Sequence, residues 1–336
     1  MTLKSILLRL SLLILLFGCQ RDPLAVDSSS TKVSIQFYNL DKMMMNADSL
    51  ELLAIHAKMK KEIPELFDYQ VGYCIQIGDV TDTTFASSFL EYKRDTFIQK
   101  LEKEIAVKFS DTKVHETSIL EGFKKIKTHL PKSKLPTSIV FMNSLFVSNA
   151  FSTEKEIGIG LERYLGATSA SIQRLPSEPF YTWVKEGMEV RFLERDALAS
   201  WMMTHIVVDE EGANLAQKMI RWGKILYLTE AAFPEVDKSI ILRYSDKDLE
   251  WATENEYSFW KYLIDEELLF KVDEQMIQNM ISDGPFTPGL PEKAPDRLGQ
   301  YLGWRMVKNY METTETSFEE LLKMPYNEIL QSYEVE

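Results

Sequence analysis

The chain has 336 residues, 45% of them hydrophobic and 26% charged, and a formal net charge of −13. These proportions belong to a folded globular chain with a sizeable core and not to a disordered one. The excess of acid, with no basic stripe, excludes a nucleic-acid groove and attraction to anionic lipid head groups.

The first residues read as an export leader. Lys4 and Arg9 come ahead of the apolar run Leu10–Phe17, and Gly18-Cys19 follow it. Such a run is too short for a bilayer of about 30 Å, which takes about 20 residues, but it suits the apolar region of a secretory signal. Leu16-Phe17-Gly18-Cys19 resembles a lipobox, in which the cysteine is lipidated and becomes the new N-terminus. Residues 1–18 are therefore read as a lipoprotein signal peptide and Cys19 as the lipid attachment site. Loss of Lys4 and Arg9 would take the formal charge from −13 to −15 and leave Cys74 as the one remaining cysteine. A single cysteine makes no intramolecular disulfide, so an exported body must be held by its core. Residues 19–31 have the Ser, Asp and Pro composition of a flexible tether, with a reach of at most roughly 40 Å. The expected location is a membrane-anchored body facing the periplasm.

From residue 32 the chain reads as one α+β body, an α/β half to residue 180 and a mostly helical half from 181 to 336. Val33–Tyr38 alternates apolar and polar residues as a strand does. A helix follows with Leu50, Leu53, Ala54 and Ala57 on one face, ending near Pro64. Val71–Ile77 alternates again and predicts a second strand, with Cys74 as a buried apolar filler. One long or two shorter helices lie between Phe85 and Phe109, and Ile119, Phe123, Ile126 and Leu130 mark another, closed by Pro131. Ser138–Met142, Leu145–Phe151 and Ile157–Leu161 predict a small antiparallel meander.

Beyond residue 180, Arg195–Val208, Asn214–Ala232, Asp246–Leu263, Asp273–Ile281 and Asp296–Glu312 read as helices. Ser245 with Asp248 and Ser317 with Glu320 resemble capping boxes. In Asp283–Tyr310, prolines 285, 288, 291 and 295 exclude a regular element before a final helix that Pro295 opens. Gly299 and Gly303 share a face of that helix. Bare glycines cost roughly 1 kcal/mol each in a helix interior, so the pair predicts close backbone approach by a neighbour.

Chemistry is sparse. The histidines are His56, His115, His129 and His205, with no pair four apart, no CxxC and no HExxH. GxSxG is missing, and Gly158-Ile159-Gly160 lacks the third glycine of a dinucleotide fingerprint. His205 and Asp209 would share a helix face, but a zincin helix has a second histidine where Asp209 stands and a glutamate where Ile206 stands. Isoleucine can neither accept a proton nor polarise water. No catalytic residue, metal ligand or cofactor is assigned. Trp251, Tyr257, Phe259, Trp260 and Tyr262 read as core or partner surface. Asn255-Glu256 is read as solvent-facing, with a buried polar pair as the alternative.

Several stretches in order resemble the gliding-motility lipoprotein GldB family of Bacteroidetes: the lipobox, Ile157–Leu161 with Glu162-Arg163-Tyr164-Leu165-Gly166, Met219–Leu228, Asn255–Leu263 and Asp283–Tyr310. The resemblance implies a lipid-anchored, non-catalytic component or scaffold of gliding and type IX secretion machinery, with envelope protein partners. The family is in turn similar to zincin-type peptidases. Pro295, Arg297, Gly299 and Gly303 match a PxRxGxxxG helix, and Glu211-Gly212-Ala213 echoes a second motif. That likeness implies the alternative, a divergent metal-dependent peptidase or hydrolase drawing on His205, Asp209 and Glu211. Arg297 reads as a clamp on a neighbouring carboxylate.

Overall fold

The computed structural model describes residues 22–79 and 84–335; the expected signal peptide and Cys19 lie outside them. The class is α+β. Four strands form one sheet in the order β1-β2-β4-β3, where β1 is Gln36–Asn39, β2 Ser138–Met142, β3 Ala150–Ser152 and β4 Glu156–Gly160. β2 pairs in parallel with β1 and β4, and only β3 runs antiparallel, beside β4. The pairing is thus mixed and not the antiparallel meander expected. β2 is buried along its whole length, as a continuous apolar run covered on both faces should be. Its alternation divides the core: Ile139 and Phe141 join one cluster, Val140 and Met142 the other.

The smaller cluster packs under α1 (Leu40–Met45), α2 (Ser49–Glu62) and α3 (Phe85–Tyr92). α2 is started by a reciprocal capping box between Asp48 and Glu51, but its expected inner face is solvent-facing. Leu50, Leu53, Ala54 and Ala57 are exposed, while Leu52 and Met59 are buried. Val71–Ile77 is not a strand. A helix over Pro64–Asp68 widens into a π-helical turn at Tyr69–Cys74, and Val71, Cys74 and Ile75 are buried at helical spacing. Cys74 is a buried filler as expected, and burial pushes its thiol up to about 12.

The larger cluster extends from α4 (Thr96–Lys108) and α5 (Lys113–His129) through α6 (Leu193–Trp201) and α7 (Leu215–Ala232) to the last helices. Leu24 is buried in it, and His129 Nε2 lies 3.3 Å from the Leu24 carbonyl. Thr31 and Thr128 hydroxyls meet at 2.7 Å. The segment read as tether is therefore docked on α5 at those points. The Leu145–Phe151 run forms no strand until Ala150, because Leu145 and Phe146 adopt positive φ. Their loop wraps the buried Glu162 carboxylate, which accepts from the amides of Ser144 (3.1 Å) and Phe146 (2.8 Å).

Three helical boundaries also shift. α6 ends at Trp201 in a π-helical turn, Met202–Ile206. The expected Asp246–Leu263 helix breaks at Asn255 into α8 (Asp246–Glu254) and α9 (Glu256–Asp265), where the Asn255 amide donates to the Trp251 carbonyl at 2.8 Å. α10 is Glu274–Ile281 and α11 is Leu298–Thr313. Pro295 therefore precedes α11 without opening it, and Arg297 (φ 54°) is the residue at the N-cap.

Close approach at the glycine face is confirmed. A Cβ on Gly303 would lie 1.9 Å from the Met219 carbonyl oxygen in α7, and one on Gly223 would lie 2.1 Å from the Gly303 oxygen. Gly299 is set against the end of α10, where a Cβ would meet the Met280 oxygen at 2.9 Å. One glycine face thus serves two neighbours.

Candidate functional site

The Pro-rich loop before α11 closes one side of a polar cleft. Arg163 reaches it from the 3-10 turn Leu161–Tyr164 that ends β4, Arg195 and Asp196 from α6, Arg243 from the end of the helix Lys238–Leu242, and Asp283, Asp296 and Arg297 from the loop's two ends. A pocket of about 420 Å³ adjoins a second of about 310 Å³, and Asn149, Arg163, Arg243, Asp283 and Arg297 line both.

Asp196 gathers one side. It accepts from Arg195 Nη1 (3.1 Å), Arg243 Nη1 (2.5 Å) and the Tyr164 hydroxyl (2.8 Å). Arg297 gathers the other. It grips Asp296 with two bonds of 3.0 Å and also lies 3.2 Å from Asp283. This is the clamp on a neighbouring carboxylate that the sequence suggested. Burial would lower the Arg297 pKa, but Asp296 and Asp283 reverse that and hold it above its ordinary value. Burial raises Asp296 against the pull of Arg297.

The two sides meet through a helix end. Arg195 Nε donates to the Ile241 carbonyl at 2.7 Å, and Arg297 Nη2 to the Arg243 carbonyl at 3.0 Å. These guanidiniums satisfy carbonyls that the helix cannot pair internally and complement its negative end. Arg243 (φ 55°) turns the chain there in the left-handed region, at a cost of about 1 kcal/mol for a residue with a Cβ. Its own guanidinium thereby reaches Asp196 and the Gly187 carbonyl (2.7 Å). Phe192 lies under the Arg243 guanidinium at 4.8 Å, and Tyr244 under that of Arg297 at 5.3 Å, distances suited to cation–π attraction.

The residues that a metallopeptidase reading would use are engaged elsewhere. His205 Nε2 lies 2.7 Å from the Thr153 carbonyl, and its ring rests 3.8 Å from that of Trp201. Asp209 pairs with Lys218 (2.7 Å) and Arg221 (3.5 Å), while Glu211 is exposed. Among the described residues no group of three or more His, Cys, Asp or Glu side chains is disposed to hold a metal ion.

Each quoted stretch within the described residues touches the Asp283–Tyr310 segment or its cleft. Met219–Leu228 meets Gly303, and Glu162-Arg163-Tyr164 supplies Arg163. Glu256 is buried and accepts from Tyr301 (2.6 Å), Arg305 (2.8 Å) and Tyr333. That corrects the solvent-facing reading of Asn255-Glu256: Glu256 is a buried acid. The described members of the set therefore form a spatial cluster, and the family model for "Gliding motility protein GldB" matches residues 21–334. The chain belongs to the GldB family. No curated protein and no solved structure matches it. Sequence reasoning missed Asn149, Arg195, Asp196 and Arg243 as members of this GldB-family cleft. The only prior signal was the presence of Arg163, Asp283 and Arg297 within the family stretches.

Family membership makes this a gliding-motility-related protein and points to a lipoprotein of the cell envelope. Among the described residues, no helix is long and apolar enough to cross a membrane.

Proposed function

We propose that the chain is anchored through a lipid on Cys19, faces the periplasm, and serves gliding or type IX secretion machinery by binding envelope partners and not by catalysis. The observation that carries the non-catalytic reading is the engagement of His205 by Thr153 and Trp201, and of Asp209 by Lys218 and Arg221. Both side chains are committed to holding the π-turn and the following loop in place. A metal site that used Asp209 would have to displace Lys218 and Arg221 first.

The cleft suits recognition. Its arginines are fixed by carboxylates, carbonyls and aromatic rings, and rigid guanidiniums bind anionic partners with little ordering cost. The body from residue 32 to 336 is read as one unit. Metal analysis of the purified protein, with peptide and casein cleavage assays, tests the proposal. Substoichiometric metal and no turnover are expected; stoichiometric zinc with turnover contradicts it and favours the metal-dependent hydrolase. For the anchor, Cys19→Ala is expected to abolish labelling by a palmitate analogue, and retained labelling would refute it.

A further inference from the structure

The cleft sets four guanidiniums (Arg163, Arg195, Arg243, Arg297) against three carboxylates (Asp196, Asp283, Asp296), and Arg191, Glu186 and Asp248 complete a lining of equal positive and negative charge. The pairing is uneven. Asp196 is shared by Arg195 and Arg243, and Asp296 occupies Arg297 with two bonds. Arg163 donates Nε to the neutral side-chain oxygen of Asn149 at 2.6 Å, and among the described residues it makes no ion pair, though Glu162 and Asp283 attract it.

Asp283 is the loosest of the three acids. Its side chain is 74% exposed, whereas those of Asp196 and Asp296 are 6% and 12% exposed. Its single ion pair duplicates one that Asp296 already makes to the same Arg297 nitrogen. Desolvation in the cleft raises its pKa, but Arg297, Arg243, Arg195 and Arg163 together hold it below the ordinary value. A carboxylate is therefore attracted to this position by the whole arginine set while being tied to it by one bond.

We propose that the cleft binds a carboxylate-bearing ligand with a short apolar body, whose head group takes the place held by the Asp283 side chain. Asp283 is then an internal counter-ion that the ligand displaces, leaving Arg297 satisfied by Asp296 and bringing an anion to Arg163. Trp183, half-buried, and Pro285, exposed, line the same pocket and give the apolar body a wall. A volume of about 420 Å³ accommodates one large amino-acid residue with its carboxylate. Either a free carboxylic acid or the C-terminal residue of a polypeptide presents this chemistry. The inference deepens the binding reading above and rests on it.

The test is calorimetric titration of the full chain in detergent with N-acetylphenylalanine, N-acetylphenylalanine amide, a short peptide ending in phenylalanine, and inorganic phosphate. The acid is expected to bind and the amide not. Asp283→Asn removes the competing charge at an exposed position and is expected to tighten acid binding about tenfold; Arg163→Gln is expected to abolish it. Tighter binding of the peptide than of the free acid assigns the polypeptide source, and the reverse assigns the small acid. Equal binding of acid and amide overturns the proposal, as does phosphate binding as tightly as the acid. So does an Asp283→Asn affinity within twofold of wild type, or no binding by either protein up to ~10 mM. These outcomes are distinct from zinc with turnover, which would remove the binding reading itself.

Discussion

Three buried acids, Asp41, Glu102 and Glu162, form no ion pair among the described residues. Asn143 joins two of them, giving its backbone amide to Asp41 (2.7 Å) and its side-chain amide to Glu102 (2.7 Å). The second Asp41 oxygen and the Tyr92 hydroxyl lack a partner in the structure. Burial raises all three pKa values, that of Glu102 to about 7. A carboxyl raised in the folded state stabilises fully below its unfolded pKa, and that contribution is lost as pH rises through the folded value. For Glu102 the window runs from about 4.5 to about 7. Glu102→Gln keeps the acceptor for Asn143 and removes the charge. It is expected to leave stability near wild type at pH 4.5 and raise it by about 2–3 kcal/mol at pH 8. Urea denaturation at the two pH values measures this; equal effects at both would show that Glu102 does not titrate there. None of this was visible in sequence, because three acids distant in the chain are joined only by tertiary structure.

At the scale of elements, α7 and α11 form the closest contact, and its cause was legible. Two glycines four apart made α11 a helix worth crossing closely, and Gly223 within Met219–Leu228 is the matching gap. Gly303→Ala puts a methyl group inside the Met219 carbonyl and forces the helices apart. The expected loss is about 3–5 kcal/mol, whereas Gly72→Ala, whose Cβ would meet only the Gly78 oxygen at 3.6 Å, is expected to stay within about 1 kcal/mol. Thermal unfolding of the two variants compares them, and a mild Gly303→Ala would mean that the helices sit further apart than described. Periodicity misled elsewhere for identifiable reasons. Val71–Ile77 alternates by accident, and burial of Val71, Cys74 and Ile75 obeys the helical period instead. In α2, small apolar residues make a stripe facing water, while the core takes Leu52 and Met59. Such choices are made by the packing partner, which a local pattern does not contain.

At the scale of the molecule, the α+β class, β2, the helical C-terminal half and the family were readable. The cleft was not, because its residues come from five separate stretches and two of its arginines are placed by left-handed backbone turns. Arg297 alone was foreseen as a clamp. The zincin-like motif residues thus have structural work: Arg297 ties the loop to the end of the helix Lys238–Leu242, and Gly299 and Gly303 seat α11. The proposed function is binding through this cleft and not chemistry at His205. Complementation of a deletion strain tests it most directly, with each variant's abundance checked in the envelope fraction. The double variant His205→Ala/Asp209→Asn is expected to restore the wild-type phenotype, and Arg163→Gln, present at wild-type level, to fail. Failure of the histidine–aspartate variant at normal abundance, with full function of Arg163→Gln, would contradict the claim.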